Sequence, residues 1–581
     1  MIATKAKLFD SPGKLEAHRA KLSKARAGKP CLIVSSGTCG MVNGSGALVE
    51  ALQAGLKELR LTGKVLLRVT GCLGFCEQEP LLILRPSNIF YPHPAPKDVP
   101  RLLKESLLGG KVIEEWCYRD PRTGEAVRDI RRLPFYERQQ RLVLGMNAEV
   151  DPCSIEDYIA AGGYAAWTKV LAGGSPRHVI DEIERSGLRG RGGGGFPTGR
   201  KWRICRDKPG DKKYVVCNAD EGDPGAYMNR SVLEGNPHSV LEGMLIGGYA
   251  IGADEAVIYV RAEYPLAVRH VLAAIEQAKA HGLVGENILG SGWNFQVHVS
   301  RGAGAFVCGE ETALIASVEG RLGTPSPKPP YPAERGLWGK PTVINNVETW
   351  ANVPQIINRG ADWFAGIGTE TSKGTKVFSL VGKIRNTGLV EVPMGTPLRQ
   401  IIDDIGGGVP AGRKFKAVQT GGPAGMIPES LLDLPVDYES LTAAGVMMGS
   451  GGMIVMDDRT CVVDVARYFM NFLREESCGK CTPCREGIKH MLGILTRICD
   501  GRGAVEDLAR LETLARGVKA GSLCGLGTTA PNPVLSTLKY FRDEYFAHVV
   551  DKRCPAGVCT ALRSDNDSLG EKREKGANKN G

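Results

Sequence analysis

Three cysteines, Cys478, Cys481 and Cys484 in ESCGKCTPCREG, followed forty residues on by Cys524 in GSLCGLG, carry the strongest chemical signal in the chain. Cys-x2-Cys-x2-Cys brings three thiolates onto one short stretch of backbone, where they can face a cubane, and a distant fourth completes the ligation of a 4Fe-4S cluster. Structural zinc is the competing assignment. It usually takes its thiolates from two separated Cys-x2-Cys knuckles, whereas here three come from one knuckle and one from afar. The spacing predicts an iron-sulfur site and a chain that moves electrons.

A second group of residues is suited to phosphate. Gly190, Arg191, Gly192, Gly193, Gly194, Gly195 and Phe196 run into Pro197, Thr198, Gly199, Arg200, Lys201 and Trp202. Gly190, Gly192 and Gly195 match G-x-G-x-x-G, but the dinucleotide fingerprint needs a strand before the glycines, and HVIDEIERSGLRG reads as a helix. Four consecutive glycines let backbone N–H groups approach a phosphate, and Arg200 and Lys201 add charge, which predicts a phosphate loop of non-Rossmann type. Downstream, VVCNADEGDPG follows a strand-like KKYVV and gathers Asn218, Asp220, Glu221 and Asp223 on a turn, where carboxylates can accept hydrogen bonds from sugar hydroxyls. In RGAGAFVCGEETALIASVEG, Gly302 and Gly304 precede an expected strand, and Glu310 and Glu311 sit at the mouth of a helix, either as functional acids or as helix caps. KPPYP supplies a rigid turn with Lys328 and Tyr331, and TVINNVET two adjacent amides, Asn345 and Asn346. No Ser-His-Asp set or His-rich hydrolytic metal site accompanies them.

These residues need several domains to place them. The chain has 581 residues, room for about three or four domains with more than one core. Its 75 glycines accompany 42% hydrophobic residues, which favours loops that approach a ligand over disorder. The net charge of +10 is mild, and the end from Arg563 to Gly581 nets about zero and reads as a solvated tail, so nothing suggests nucleic-acid binding. The start MIATKAKLFD lacks the apolar core of a secretory signal, and no run is long enough to span a membrane, so a soluble cytoplasmic protein is expected. Seventeen cysteines fit that compartment as metal ligands and free thiols.

Residues 1–110 read as a small α/β domain: KPCLIVSS a strand, GALVEALQAGLKEL an amphipathic helix, KVLLRVTG a strand and EPLLILRPSNIFY a hairpin. Cys39 in GTCG, with Cys72 and Cys76 in GCLGFCEQEP, resembles the layout of the thioredoxin-like 2Fe-2S ferredoxin, in which two cysteine pairs lie on neighbouring loops. The partner of Cys39 is missing, since Val34 and Ser35 stand where it is needed. A 2Fe-2S domain and an adapter that has lost its cluster both remain open.

Residues 111–150 read as a linker. From Asp151 to Phe546 the segments resemble the NADH-binding flavoprotein subunit of bacterial complex I and its relatives in soluble NAD-linked hydrogenases and formate dehydrogenases. The resemblance implies an α/β multidomain chain: a Rossmann-like FMN and NADH domain at 151–374, a ubiquitin-like β-grasp domain at 375–436 and a helical 4Fe-4S domain at 437–550. It implies FMN on the loop of Gly190, Arg191, Gly192, Gly193 and Gly195, with Lys201 on the flavin phosphate and Asn218, Asp220, Asp223, Gly309, Asn345 and Asn346 as further contacts. For NADH it implies Phe196 and Tyr331 as stacking rings, Glu310 and Glu311 beside the nicotinamide, and Lys328 on the dinucleotide. Asp223, Phe306, Tyr331 and Ile204 depart from the usual residues, which bears on affinity and on the choice between NAD and NADP. Lys480 and Arg485 flank the cluster ligands, where positive charge favours the reduced cluster.

In the tail at 551–581, Cys554 and Cys559 in KRCPAGVCTALRS, shortly after His548, resemble a C-terminal motif of the flavin subunit of bifurcating hydrogenases. With Cys461 they offer three thiolates and one imidazole, a set for structural zinc; a disulfide and inert buried thiols are the alternatives. The whole implies a diaphorase: hydride transfer between NADH and FMN, then single electrons through the 4Fe-4S cluster to a small ferredoxin-type iron-sulfur subunit and a catalytic subunit such as a hydrogenase or formate dehydrogenase. The rival is an electron-transfer and docking adapter with a degenerate nucleotide site, supported by Ile204 and the incomplete N-terminal cysteine set.

Overall fold

The computed structural model describes residues 8–563, so the first residues and most of the expected solvated tail lie outside it. Strands β1 (Cys31–Ser35), β2 (Leu66–Thr70), β3 (Leu81–Arg85) and β4 (Ile89–Pro92) form a sheet in the order β2-β1-β3-β4. β1 and β2 are parallel, as the helix Ser45–Glu58 between them requires, and β3 and β4 are an antiparallel hairpin. The helix Pro12–Arg26 lies within the stretch expected to form this domain but packs on the main body. Phe9 N–H donates to the His281 carbonyl (3.0 Å), and Arg19 donates to the carbonyls of Ile159 (3.2 Å) and Gly163 (2.9 Å). Its lone fully buried leucine, Leu15, gives so little amphipathic pattern that the docking face could not be read.

The expected linker is a packed strap. A short hairpin, β5 (Tyr118–Arg119) with β6 (Ala126–Val127), precedes Leu133, Phe135 and Leu144, all buried, and the Phe135 ring stacks on Phe75 at 4.1 Å. Buried Glu391 accepts the backbone N–H groups of Leu142, Val143 and Leu144 (2.9–3.1 Å). A carboxylate more than two hundred residues away thus satisfies three donors that would otherwise be unpaired.

The main body holds a four-stranded, all-parallel sheet, ordered β10-β7-β8-β9, from β7 (Tyr214–Ala219), β8 (Glu255–Arg261), β9 (Gln296–Gly302) and β10 (Thr342–Asn346). Helices Pro237–Ile251 and Val347–Arg359 are buried nearly throughout, so the sheet is covered as a parallel sheet must be. Gly302 ends β9 and Gly304 follows it, so both come after a strand and not before one; the apolar run AFVCG forms a tight 3-10 turn, Phe306–Gly309. A five-stranded sheet follows, ordered β12-β11-β15-β13-β14, from β11 (Thr375–Gly382), β12 (Gly388–Pro393), β13 (Phe415–Thr420), β14 (Gly425–Pro428) and β15 (Gly452–Asp457). β15 lies at its centre, parallel to β11, so this domain extends beyond the expected boundary at 436. The last part is helical, led by Val462–Glu476, Thr482–Cys499 and Val505–Gly521, whose apolar faces share one core.

Candidate active site and metal centres

The residues singled out for the nucleotide site converge at the carboxyl ends of the four parallel strands. Asn218 is the penultimate residue of β7 and Asp220 follows the strand, Arg261 ends β8, Gly302 ends β9 ahead of Glu310 and Glu311, and Asn345 and Asn346 end β10. That rim is where open parallel sheets bind ligands, because the loops leaving the strands diverge there.

The glycine loop closes over this rim. Gly190 N–H donates to the Phe196 carbonyl (2.9 Å), and Gly193 and Gly195 have φ of +113° and +61°, which other residues rarely adopt. A side chain at Gly193 would meet Gly449 backbone at 3.0 Å. Helix Thr198–Asp207 begins immediately after the loop; Thr198 N–H is taken by the Leu188 carbonyl (2.9 Å), and the positive end of the helix dipole adds to the anion site. Arg191 departs from its expected role: its guanidinium is fully buried and donates to the carbonyls of Thr375 (3.1 Å), Lys373 (2.6 Å) and Arg189 (3.0 Å), while its N–H goes to Thr349 Oγ1 (2.9 Å). It braces the loop. Trp202 is also buried, stacked on Trp350, with its indole N–H within 3.0 Å of the Asn345 amide oxygen in the orientation that satisfies both groups. Asn346 caps the helix Val347–Arg359 through Glu348 N–H (2.9 Å), and its Cβ lies 3.2 Å from where a side chain at Gly192 would begin.

Four charges meet at the mouth. Lys201 Nζ donates to Glu311 (2.8 Å) and to the Ile344 carbonyl (2.9 Å), and Lys328 Nζ lies 2.7 Å from Glu310 and 3.6 Å from Glu311. Burial pushes the Glu311 carboxyl up, but Lys201 and Lys328 outweigh it and hold the group below its ordinary value. Glu310 accepts the N–H groups of Thr312 (2.9 Å) and Ala313 (3.0 Å), so it is the helix cap as well as the Lys328 partner. Phe196 and Tyr331 are exposed rings at the rim, and Arg200 lies over Phe196 at 5.9 Å. Ile204 is packed against the core. Asp223 accepts from Ser450 (2.5 Å).

Unpaired polar atoms mark where a ligand fits. Asn218 donates to the Gly309 carbonyl (2.9 Å) and receives Asp220 N–H (3.0 Å), yet neither carboxylate oxygen of Asp220 has a hydrogen-bond partner among the described residues. Burial pushes that carboxyl up to about 7. Arg261 Nη1 is likewise unpartnered, 3.9 Å from Asp220 and too far to bond it. Buried donors and acceptors left open cost about 1–3 kcal/mol each, so this rim is built for a polar ligand, and the glycine loop beside it suits a phosphate. Arg261 could not be found from its local sequence; its signal is topological, the last residue of a central parallel strand.

The four cysteines of the cluster motif line one cavity with Lys480 and Leu523 from the helical part, and Val307 and Pro325 from the main body. Cys481 and Cys524 each stand at a helix N-cap, of Thr482–Cys499 and Gly525–Thr529. Thiolates there face the positive ends of backbone dipoles, which supports four negative ligands. Lys480 lines the cavity and donates to the Pro325 carbonyl (2.6 Å); Arg485 holds the Gly479 carbonyl (2.6 Å) between two ligands. The 3-10 turn Phe306–Gly309 joins the two sites, with Val307 in the cluster cavity and Gly309 and Glu310 in the nucleotide rim.

Residues 183–355 match the family model of the Nuo51 FMN-binding domain, and residues 464–548 that of the NADH-ubiquinone oxidoreductase-F iron-sulfur binding region. The second F-subunit of NADH-quinone oxidoreductase from Rhizobium meliloti is 48% identical over 415 residues, 71% of this chain and 99% of that one. The chain belongs to the F-subunit family of the NADH-quinone oxidoreductases. The HndC subunit of an NADP-reducing hydrogenase from Solidesulfovibrio fructosivorans is 58% identical over 427 residues, covering 73% and 87% of the two chains. A solved NAD+-reducing NiFe-hydrogenase chain superposes with a TM-score of 0.62 at 28% identity, over 92% of this chain and 88% of that one. As a member of the family, the chain is an oxidoreductase flavoprotein subunit that binds FMN and a 4Fe-4S cluster and takes NAD(H) as substrate. No described helix is long and apolar enough to cross a membrane.

A second thiol group lies at the chain end. The ligand atoms of Cys461, His548, Cys554 and Cys559, all four residues buried, lie within 4.8 Å of one another. Cys461 Sγ is 3.8 Å from Cys559 Sγ and 3.4 Å from His548 Nε2, and His548 Nδ1 donates to the Glu544 carbonyl (2.7 Å). In the N-terminal domain, Cys72 and Cys76 sulfurs are 3.9 Å apart, and no fourth thiol accompanies Cys39.

Proposed function

We propose that this subunit is the diaphorase of a larger complex, with FMN and NAD(H) at the strand-end rim and electrons leaving through the turn Phe306–Gly309. That turn, lining both sites, is the observation that carries the reading. Bound FMN supplies the conversion between a two-electron hydride and single electrons, chemistry that belongs to the cofactor. The chain's residues position it. The glycine loop, the helix start at Thr198 and Lys201 hold the flavin phosphate; Asn218, Asp220, Asn345 and Asn346 fix the rest of the flavin. Glu310 keeps Lys328 aimed at the dinucleotide, and Glu311, ionised between two lysines, gains freedom when a phosphate takes Lys201. Phe196 and Tyr331 are the free aromatic faces for adenine. In fold terms the four parts are a thioredoxin-like domain, a Rossmann-like flavin domain, a β-grasp domain and a helical cluster domain. The partners are a ferredoxin-type iron-sulfur subunit and a catalytic subunit of the hydrogenase or formate dehydrogenase kind. NADH added anaerobically to the flavin-loaded protein is expected to bleach the flavin, with NADPH run beside it to settle the cofactor choice; an unbleached flavin with both would leave the docking-adapter role.

The Cys461, His548, Cys554 and Cys559 set fits zinc. Two sulfurs each about 2.3 Å from one tetrahedral zinc lie about 3.8 Å apart, the Cys461 to Cys559 separation, and the imidazole is oriented by a carbonyl on its far nitrogen. All four positions are filled by protein, so the role is structural, pinning the chain end to the cluster domain. Metal analysis is expected to find about one zinc per chain beside the iron, and Cys559→Ser to lose it and expose the segment after Val549 to protease while flavin bleaching by NADH persists. Full protease resistance in a zinc-free variant would contradict the structural role.

A further inference from the structure

The N-terminal domain holds three of the four ligands of a 2Fe-2S cluster, and one pair is already formed. Cys72 Sγ and Cys76 Sγ are 3.9 Å apart, close to the separation of two sulfurs bound at about 2.3 Å to one tetrahedral metal. Both sulfurs have polar neighbours of the kind that tune cluster thiolates: Gly74 N–H donates to Cys72 Sγ (3.3 Å), and the Tyr227 hydroxyl lies 3.6 Å from Cys76 Sγ. Cys39 needs a partner for the second iron. Where the sequence lacks that cysteine it has Ser35, which is fully buried, its hydroxyl within bonding distance of the Glu79 carboxylate and of the Gly71 carbonyl (3.3 Å).

Glu79 is only 3% exposed, and its Oε2 has no hydrogen-bond partner among the described residues. An ionised carboxylate so placed calls for a cation. The loop of Cys39 is pinned between this carboxylate and Cys72. A side chain begun at Gly37 would meet the Cys72 backbone nitrogen and Cβ at 3.0 Å, and one begun at Gly40 would meet Glu79 Oε2 at 3.0 Å. The two glycines therefore let the loop close on Cys72 and leave the space beside Cys39 to the Glu79 carboxylate. Glu79 N–H donates to the Cys76 carbonyl (3.4 Å), so the carboxylate and the Cys72–Cys76 pair ride on one turn. The frame is tied to the main body: Thr38 donates through N–H (2.9 Å) and Oγ1 (2.5 Å) to Glu234, and Asn147 donates to the Cys72 carbonyl (3.1 Å).

We propose that Glu79 takes the place of the missing cysteine as the fourth ligand of a 2Fe-2S cluster, its Oε2 joining Cys39 on one iron while Cys72 and Cys76 hold the other. Ser35 is then a positioning residue, whose hydroxyl holds Oε1 and leaves Oε2 to the metal. A carboxylate is a hard oxygen donor that suits ferric iron, and three thiolates with one carboxylate carry the same ligand charge as four thiolates.

The test uses the full-length, flavin-loaded protein, reconstituted anaerobically with iron-57 and sulfide and freed of unbound metal. Iron and acid-labile sulfide are expected at about six of each per chain, four in the cubane and two in the second cluster. Mössbauer spectra of the oxidised protein should resolve the two extra ferric irons as unlike sites, one with the larger isomer shift of oxygen ligation. Glu79→Gln keeps the size of the side chain and removes its charge, and it should fall to about four irons and lose the EPR signal of the reduced second cluster. The proposal is overturned by a wild type with only the four irons of the cubane, by two extra ferric irons with matching all-thiolate spectra, or by Glu79→Gln retaining all its iron with unchanged spectra. The wild-type spectra decide the ligand even where the variant fails to fold. Flavin bleaching by NADH is read on the same samples, so failure here is distinguishable from failure of the diaphorase reading.

Discussion

Cys481→Ala is expected to leave NADH reduction of the flavin intact while abolishing onward transfer. Cys481 is one of four thiolates lining the cluster cavity and opens the helix Thr482–Cys499, so its loss removes a ligand that no neighbouring side chain replaces: Ser477 already contacts Cys484 Sγ at 3.3 Å, and Lys480 is tied to the Pro325 carbonyl. The nucleotide rim meets that cavity at the turn Phe306–Gly309 and at Pro325, three residues before Lys328. The turn is anchored by protein contacts that use none of the four thiols: Phe306 N–H donates to Glu476 (2.8 Å), and the Gly309 carbonyl accepts from Asn218 (2.9 Å). Anaerobic titration with NADH should bleach the variant's flavin as in the wild type, while low-temperature EPR of the same sample shows no reduced cluster and the partner iron-sulfur protein receives nothing. A folded, flavin-loaded variant that no longer bleached would mean that hydride transfer depends on the cluster, and the division of labour would be wrong.

The parts of this arrangement that could be read in advance are those whose chemistry is local in sequence. Cys478, Cys481 and Cys484 lie within seven residues, at the start of one helix, and their spacing alone selects a cubane. The glycine loop and the strands of the first sheet carry equally local signals of backbone freedom and alternating apolar runs. What could not be read depends on chain segments meeting across the fold. Arg261 looks like any charged residue ending a strand until the parallel order of β7, β8 and β9 sets it beside Asp220. Arg191 sits inside the loop motif and looks like a phosphate ligand, but three carbonyls from residues 189, 373 and 375 claim its guanidinium. The strap at 111–150 is polar enough to pass for a linker because Glu391, far along the chain, satisfies its backbone. β15 is separated from its sheet by a turn-rich stretch around Gly449 and Gly451, and only pairing with β11 and β13 reveals where it belongs. The proposed zinc set falls between these cases: ligand arithmetic groups the four residues, and the helix starting at Val462 and the one ending at Val549 bring their ligand atoms within 4.8 Å of one another.

Lys201→Ala is expected to weaken FMN binding roughly ten- to a hundred-and-fifty-fold, the worth of one charge-assisted phosphate contact at about 1.5–3 kcal/mol. The structure adds a competitor that the motif does not reveal. The ammonium is held by Glu311 and the Ile344 carbonyl, so a flavin phosphate must draw it away from a carboxylate that Lys328 reaches only at 3.6 Å. Removing Lys201 therefore deletes the phosphate contact and also leaves Glu311 facing the incoming dianion with one cation in place of two. Glu311→Gln separates the two effects. If Lys201 serves the phosphate, that variant frees the ammonium and binds FMN at least as tightly as the wild type, while the double variant Lys201→Ala/Glu311→Gln recovers only part of the lost affinity. Fluorescence titration of the flavin-free protein with FMN measures all four dissociation constants. Equal affinities for the wild type and Lys201→Ala would assign the ammonium to Glu311 alone and leave the phosphate to the glycine loop and the helix start at Thr198.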